Sequence, residues 1–195
     1  MTRPDTADSP RLVYAGIGSR RTPPEILAVM TRIAQWLHRT GWHLNSGGAD
    51  GADRAFADGA TAQSRTLFMP WPGYNGHSGP DCRTLAAGER QPALDLAARL
   101  HPAWRKCSRG ARALHARNVG IILGPGLNRP VDALICWTPG GEITGGTGMG
   151  LRIAAEAGIP VLNLAVDSPR DACLFLRAVR VAEVSGYSVG RVRLD

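Results

Sequence analysis

Ser46-Gly47-Gly48-Ala49-Asp50-Gly51-Ala52-Asp53 is the most informative stretch of this chain. It follows a strand-like segment, Gly41 to Asn45, and precedes an alanine-rich helical pattern from Arg54 to Ala62. Glycines in such a turn let a ligand approach the main chain where a Cβ would collide. The backbone N–H groups at the positive end of the following helix suit a phosphate or another anion. A tight turn in which Asp50 or Asp53 only caps the helix is the structural alternative.

Two more loops of the same kind follow strand patterns. Leu12 to Ile17 predicts a short buried strand that runs into Gly18-Ser19-Arg20 and a proline-marked helix start. Val131 to Trp137 predicts another strand, which enters a glycine-rich loop before a helix from Met149 to Ala157. In open α/β sheets, ligands bind at the carboxyl ends of the strands, where such loops converge. The sequence therefore predicts one pocket formed by three loops.

The candidate ligand-binding residues of the three loops are Gly18, Ser19, Arg20, Ser46, Gly47, Gly48, Ala49, Asp50, Gly51, Asp53, Gly140, Gly141, Gly145, Gly146, Thr147 and Gly148.

Strand and helix patterns alternate along the rest of the chain. Further strands are predicted over 65–69 and 161–165, and further helices over 25–40, 92–100, 109–123 and 171–182. This alternation indicates an α/β protein with a single Rossmann-like domain, a mostly parallel sheet and helices on both faces. We assign residues 1–10 to a disordered leader, 11–185 to this domain and 186–195 to a tail or an edge strand. The stretch 74–90 is predicted to be irregular, either a lid over the pocket or an insertion.

Composition argues against several classes of protein. No apolar run approaches the roughly 20 residues that cross a bilayer, and the polar first ten residues lack the apolar region of a secretory signal. We therefore expect a soluble cytoplasmic protein with no membrane partner. The cysteines and histidines show no metal-binding spacing, so we expect free thiols, no metal and no cofactor. The cysteines are Cys82, Cys107, Cys136 and Cys173, and the histidines are His38, His43, His77, His101 and His115.

Positive charge is concentrated in one block of a chain whose formal net charge is +7. No acidic residue stands between Asp95 and Asp132, although basic residues recur from Arg99 to Arg129. Their spacing places Arg105, Arg109 and Arg112 on one helical stripe, which predicts salt-dependent contact with nucleic-acid phosphates. A solvated helix face is the alternative.

Taken in order, these motifs resemble the SLOG superfamily, which includes the DNA-processing protein DprA (Smf) and the LOG-type cytokinin-activating phosphoribohydrolases. The motifs are Gly18-Ser19-Arg20, Ser46 to Asp53, Arg117-Asn118 and a Gly-Gly-Thr loop before a helix. The chain looks most like the small stand-alone DprA-like proteins, many of them carried by phages. The resemblance runs from about Tyr14 to Leu164. It implies a Rossmann-like fold that binds nucleotide or nucleic-acid phosphate, Arg117 and Asn118 near the same pocket, and a homo-oligomer.

One departure from the LOG-type pattern concerns catalysis. Those enzymes carry a glutamate three residues after a Pro-Gly-Gly-x-Gly-Thr motif, whereas Gly150 occupies the corresponding position after Gly146-Thr147 in this chain. A carboxylate is needed to stabilise the oxocarbenium-like state of N-glycosidic cleavage. If the chain is an enzyme of this type, the candidate catalytic residues are Glu142 and Asp53, with Asp50 as a further carboxylate.

Three functions remain open from the sequence. Binding of a nucleotide or nucleotide-derived ligand ranks first, single-stranded DNA binding through the Arg99–Arg129 block second, and nucleotide N-glycosidic hydrolysis third. Single-strand binders stack bases on exposed aromatic side chains. Trp36 and Trp137 occupy predicted core positions, which leaves Trp71, Tyr74 and Trp104 as stacking candidates.

Overall fold

Six strands form one parallel sheet in residues 11–184, the part of the chain that the computed structural model describes. The strands are β1 (Val13–Gly16), β2 (His43–Ser46), β3 (Arg65–Met69), β4 (Cys82–Thr84), β5 (Ala133–Cys136) and β6 (Val161–Asn163). Their spatial order is β4-β3-β2-β1-β5-β6, and every neighbouring pair is parallel. The chain builds outward from β1 to β4 and then adds β5 and β6 on the opposite side of β1. The switch point, where open α/β sheets bind ligands, therefore lies between β1 and β5.

Helices cover both faces of this sheet. Within the same residues they are α1 (Pro24–Arg39), α2 (Ala52–Asp58), α3 (Ala87–Leu100), α4 (Arg109–Leu123), α5 (Gly145–Glu156) and α6 (Pro169–Val184). Successive side chains of a strand point to opposite faces. Tyr14 accordingly packs with α1, α2 and α6, whereas its neighbour Ala15 packs with α3, α4 and α5. The predicted Rossmann-like α/β fold, with a parallel sheet and helices on both faces, is confirmed.

The first half of helix α4 is exposed or half-buried, and its second half is buried. Ser108 caps its start, because the Oγ of this serine accepts a hydrogen bond from the N–H of Ala111 at 3.2 Å. Every residue from 116 to 122 is buried, since this half packs between the sheet and helices α3 and α5. Asn45 of β2 fixes the buried half by donating to the carbonyl oxygen of Ile121 at 3.1 Å. The first half of α4 is thereby held at the carboxyl edge of the sheet.

The stretch 74–90 is more regular than the sequence predicted. It contains β4, which forms the edge of the sheet beside β3, and the first turn of α3. Asp81 holds this edge strand in place, because its carbonyl accepts from the N–H of Leu67 at 2.7 Å and its carboxylate pairs with Arg65 at 2.6 Å. A three-residue strand carries too little periodicity to stand out in a sequence, so the prediction of an irregular segment was wrong.

Two helix ends also differ from the sequence pattern. Helix α3 begins at Ala87 rather than Pro92, and Pro92 lies inside it. Helix α2 ends at Asp58, and a separate 3-10 turn occupies residues 62–64, where the pattern had extended the helix. The predicted leader (1–10) and tail (186–195) lie outside the described residues, so both stay predictions. No helix within residues 11–184 has the combined length and apolar character that crossing a bilayer requires.

Glu89 joins the start of α3 to the turn that follows α4. Its carboxylate accepts from the N–H groups of Gly126 at 2.6 Å and Ala86 at 2.8 Å, and Arg83 donates to both oxygens at 2.7 and 2.8 Å. Burial opposes ionisation of this carboxyl. The two backbone N–H groups and the guanidinium together outweigh that effect and lower the pKa of Glu89 below its usual value of 4.5.

We predict that Glu89→Gln lowers the free energy of unfolding by about 2 kcal/mol at pH 7, because an amide replaces a carboxylate that receives four hydrogen bonds. A lowered folded-state pKa gives stability that is present above about pH 4.5 and is lost as the pH falls through the folded-state value. The difference between the two proteins should therefore shrink at acid pH. Urea unfolding at several pH values measures this difference in the free energy of unfolding. Glu25→Gln, which changes an exposed residue of α1, is the control. A difference that does not change with pH would contradict the prediction.

Candidate functional site

A cleft of about 710 Å³ opens at the carboxyl ends of β1 and β5, at the switch point of the sheet. We call it the first cleft. The loop after β1 forms one wall, the start of α5 forms a second, and the first half of α4 forms a third. The lining residues are Ile17, Gly18, Ser19, Arg20, Arg21, Ala49, Asp53, Ala111, Leu114, His115, Arg117, Asn118, Pro139, Thr144, Gly145, Gly146 and Thr147.

The structure divides the predicted ligand-binding residues into two groups. Those that line the first cleft are Gly18, Ser19, Arg20, Ala49, Asp53, Arg117, Asn118, Gly145, Gly146 and Thr147. Those that do not are Ser46, Gly47, Gly48, Asp50, Gly51, Gly140, Gly141 and Gly148. The first loop and the start of α5 thus face the cleft, whereas only Ala49 and Asp53 of the loop at 46–53 line it.

The 46–53 loop supports the cleft by packing closely on its neighbours. Ser46 is fully buried, and its Oγ donates to the carbonyl oxygen of Gly16 at 2.7 Å. Gly51 has φ of +83°, and a Cβ there would stand 2.8 Å from the carbonyl oxygen of Ser19 and from the Cα of Arg20. Only glycine allows this approach. The sequence predicted that a ligand would approach the backbone here. The close partner is the first loop of the same chain.

A buried ion pair joins this loop to α4. Nη1 of Arg117 donates to Oδ2 of Asp53 at 3.2 Å, and their side chains are only 7% and 6% exposed. Arg117 lies directly over Gly47, where a Cβ would overlap the guanidinium. Burial raises the pKa of the Asp53 carboxyl, and the charge of Arg117 and the N–H groups of Ala49 and Gly18 oppose the rise.

The first cleft is electropositive. Arg20 and Arg21 enter from the first loop, and Arg117 enters from α4. Nε of Arg117 is buried and finds no hydrogen-bond partner among the described residues. No side chain caps α5 at Thr144, so the N–H groups of its first turn add the positive end of a helix dipole. This combination favours an anionic ligand.

The carboxylates proposed for catalysis lie in different environments. Among the described residues that line the first cleft, Asp53 is the one acidic group, and it is paired with Arg117. Glu142 is exposed and lies outside the lining. Asp50 is also outside it, with its side chain 74% exposed and 3.9 Å from Arg54.

A second cleft, of about 730 Å³, lies on the other side of α4, and Arg117 lines both clefts. Its lining residues are Met69, Pro70, Trp71, Pro72, Thr84, Leu85, Arg90, Leu94, Cys107, Arg109, Gly110, Arg112, Ala113, Ala116 and Arg117. Trp71 is 43% exposed and meets Tyr74 edge to face, with ring centroids 5.2 Å apart. Four arginines and an exposed indole therefore share this surface.

The predicted basic stripe is only partly realised. Arg109 and Arg112 lie on α4, but Arg105 belongs to a 3-10 turn, 104–106, that precedes the helix. The helical spacing therefore does not extend back to Arg105. The guanidinium of Arg112 lies 5.4 Å from the centre of the Trp104 ring, a cation–π contact within the protein.

The aromatic residues also depart from expectation. Trp36, predicted to lie in the core, is 38% exposed, and Trp137 is half-buried against the core. Tyr74, a stacking candidate, is buried, and its hydroxyl accepts from Arg20 at 3.0 Å. Trp71 remains as the exposed stacking candidate. Arg21, Arg90 and His115 line the clefts without having been predicted, because no motif distinguishes them from other surface residues.

We predict that Gly47→Ala destabilises the protein by about 2 kcal/mol, because the new Cβ must displace Arg117 from Asp53 in a closely packed site. Chemical unfolding measures the change. Gly88→Ala is the control, since Gly88 lies in α3 with nothing within 4 Å of the added Cβ, and helix propensity there should increase stability by up to about 1 kcal/mol. Equal effects of the two substitutions would contradict the assigned contact.

Comparison with known proteins places the fold among solved structures. No family model and no curated protein matches the sequence. DNA processing protein A from Helicobacter pylori, which binds single-stranded DNA, has a similar structure, with a TM-score of 0.55, 17% identity, and coverage of 91% of this chain and 82% of that chain. The Moco carrier protein of Chlamydomonas rheinhardtii aligns with a TM-score of 0.45 and 14% identity over 88% of this chain and 86% of that chain. At 17% identity, the DNA processing protein shares the Rossmann-like fold.

Proposed function

We propose that this protein binds a nucleotide or a nucleotide-derived ligand in the first cleft, through the phosphate of that ligand. One observation carries the proposal. Arg20, the buried Arg117 and the uncapped start of α5 converge on a single cleft at the switch point of the sheet. A phosphate accepts hydrogen bonds from several donors at once, and these three elements supply guanidinium and backbone N–H donors together.

Glycines at the start of α5 suit the approach of a phosphate. Gly145 and Gly146 line the cleft, and a Cβ on either would have no heavy atom within 4 Å. That open space lies on the solvent side of the backbone, where a phosphate can approach the N–H groups. Asn118 holds this turn in place by donating to the carbonyl oxygen of Gly146 at 3.0 Å. The phosphate position is thus preorganised by a side chain of α4.

The rest of the cleft suits a nucleoside. Ile17, Leu114 and Pro139 supply apolar surface, and His115 supplies an aromatic ring. A volume of about 710 Å³ falls within the usual range of about 300–1,000 Å³ for small-molecule sites. The motifs at this cleft are those that resemble the SLOG superfamily, and we propose membership of that superfamily. Self-association, a phage association and a cytoplasmic location stay predictions.

The proposal stops at binding and does not extend to hydrolysis of an N-glycosidic bond. The carboxylate of Asp53 is already paired with Arg117, and Glu142 does not line the first cleft. A catalytic carboxylate must reach the sugar that it stabilises. Neither candidate combines an unpaired carboxylate with a place in the cleft.

We predict that nucleoside monophosphates stabilise the protein against heat and that the matching nucleosides do so at least tenfold less effectively. A ligand at 100 times its dissociation constant adds about 2.7 kcal/mol to the free energy of unfolding. Arg20→Ala should weaken nucleotide binding tenfold or more, because it removes a charged donor to phosphate. Arg32→Ala, which removes the same charge from an exposed position on α1, is the control. Equal binding of nucleoside and nucleotide, or unchanged affinity of Arg20→Ala, would overturn the proposal.

Single-stranded DNA is the second candidate ligand, and the second cleft favours it. Arg90, Arg109 and Arg112 offer phosphate contacts beside the exposed ring of Trp71, a stacking surface for a base. Because Arg117 lines both clefts, a strand that lies across α4 could place one nucleotide in each. The structural similarity to DNA processing protein A, which binds single-stranded DNA, supports this candidate.

We predict that Trp71→Ala weakens binding of a fluorescent single-stranded oligonucleotide by about 1–3 kcal/mol. The double variant Arg90→Ala/Arg109→Ala should reduce the salt dependence of binding, with the slope of log K against log salt falling by about 0.7 for each lost phosphate contact. The double variant Arg32→Ala/Arg39→Ala, which removes two charges from exposed residues of α1, is the charge-matched control. Mononucleotide binding should survive in Trp71→Ala, so the two candidates separate. An unchanged salt slope in the double variant would remove the second cleft from DNA binding.

A further inference from the structure

A cluster of three side chains that can bind a metal lies beside the first cleft and shares His115 with its lining. His101 follows the last residue of α3, Cys107 follows the 3-10 turn 104–106, and His115 lies on α4. One ligand atom from each lies within 4.8 Å of the other two. Sγ of Cys107 is 3.8 Å from Nδ1 and 3.9 Å from Nε2 of His101, and the two imidazole centroids are 4.4 Å apart.

We propose that His101, Cys107 and His115 bind a zinc ion. Zinc takes imidazole nitrogens at about 2.0–2.1 Å and thiolate sulfur at about 2.3 Å, so a tetrahedral site separates its N and S ligands by about 3.5 Å. The observed separations of sulfur from the His101 nitrogens exceed this by a few tenths of an ångström. The three ligand atoms lie within 4.8 Å of one another, so side-chain rotations that bring them closer together close the site.

The state of His115 supports the assignment. Its Nδ1 is buried without a hydrogen-bond partner among the described residues. An unpaired buried polar atom costs free energy, and coordination to a metal ion removes that cost.

Two local interactions change when the metal binds. Nδ1 of His101 accepts from the N–H of Ala103 at 3.1 Å, and the ring gives up this bond in order to rotate toward the ion. Ala103 is exposed, so its N–H regains a partner from water. Cys107 releases its proton to solvent as the metal binds and becomes the thiolate ligand, which offsets part of the charge of the ion.

The site connects the two clefts. His115 lines the first cleft and Cys107 lines the second. Three protein ligands leave the fourth tetrahedral position open for water or an anion. The sequence predicted no metal site, because the spacings from 101 to 107 and from 107 to 115 match no short ligand motif and the packing of α3 on α4 brings the residues together. This proposal replaces that expectation and does not depend on nucleotide binding, since its test uses the metal alone.

Cobalt(II), a spectroscopic substitute for zinc, tests the site in the full-length protein after treatment with a chelator. We expect one equivalent of Co²⁺ to produce a thiolate-to-cobalt charge-transfer band and the intense visible bands of a four-coordinate ion, both displaced by zinc. Cys107→Ser should abolish the charge-transfer band. His101→Gln and His115→Gln should each weaken cobalt binding at least tenfold. Cys173→Ser, which changes an exposed free cysteine of α6, is the matched control and should bind as the parent does.

Far-ultraviolet circular dichroism of each variant establishes that it is folded. Three results would overturn the proposal. They are the absence of a charge-transfer band in the parent protein, its persistence in Cys107→Ser, and full affinity in both histidine variants. A zinc-induced rise in the melting temperature of the parent, lost in Cys107→Ser, would support it.

Discussion

The ion pair between Asp53 and Arg117 is the interaction on which the candidate site depends. It crosses from α2 to α4 in a place where both side chains are more than nine-tenths buried. Two buried charges are costly to desolvate, and they are stable only when each satisfies the other and further donors complete the site. The N–H groups of Ala49 and Gly18 contribute here. One carboxylate thus links the loops after β1 and β2 to the helix that forms the third wall.

Helix α4 is the element that all the proposed activities share. Its buried half is fixed against the sheet and carries Arg117 and Asn118 at the first cleft. Its first half carries Arg109 and Arg112 at the second cleft and His115 in the cluster with His101 and Cys107. Because these residues stand on one rigid scaffold, their relative positions are set by helix geometry. A ligand in either cleft therefore contacts the same structural unit.

The fold could be predicted from the sequence because its signals are local and repeated. Three strand patterns, those of β1, β2 and β5, are each followed by a glycine-rich turn and a helix, and such a pattern has few solutions other than a parallel sheet. The edge strand β4 escaped prediction because three residues give no periodicity. The roles of Gly47 and Gly51 were half visible: a close approach was evident, but only tertiary packing shows that the approaching groups are Arg117 and the first loop. Trp71 was a stacking candidate from the sequence, whereas the place of Arg90 in the second cleft and the His101–Cys107–His115 cluster depend entirely on such packing.

Because Arg117 packs directly on Gly47, the two sides of the first cleft differ in how tightly they are packed. The guanidinium of Arg117 fills the space beside Gly47 and pairs with Asp53, so α4 and the 46–53 loop are closely packed on this side of the cleft. The wall at the start of α5 includes Gly145 at positive φ, and residues 142 to 146 are exposed. We therefore expect adjustment to ligands of different size to come from the α5 side. The side that carries Arg117 then fixes the position of the charged group of a ligand, and the segment 142–146 determines the size of ligand that the cleft accepts.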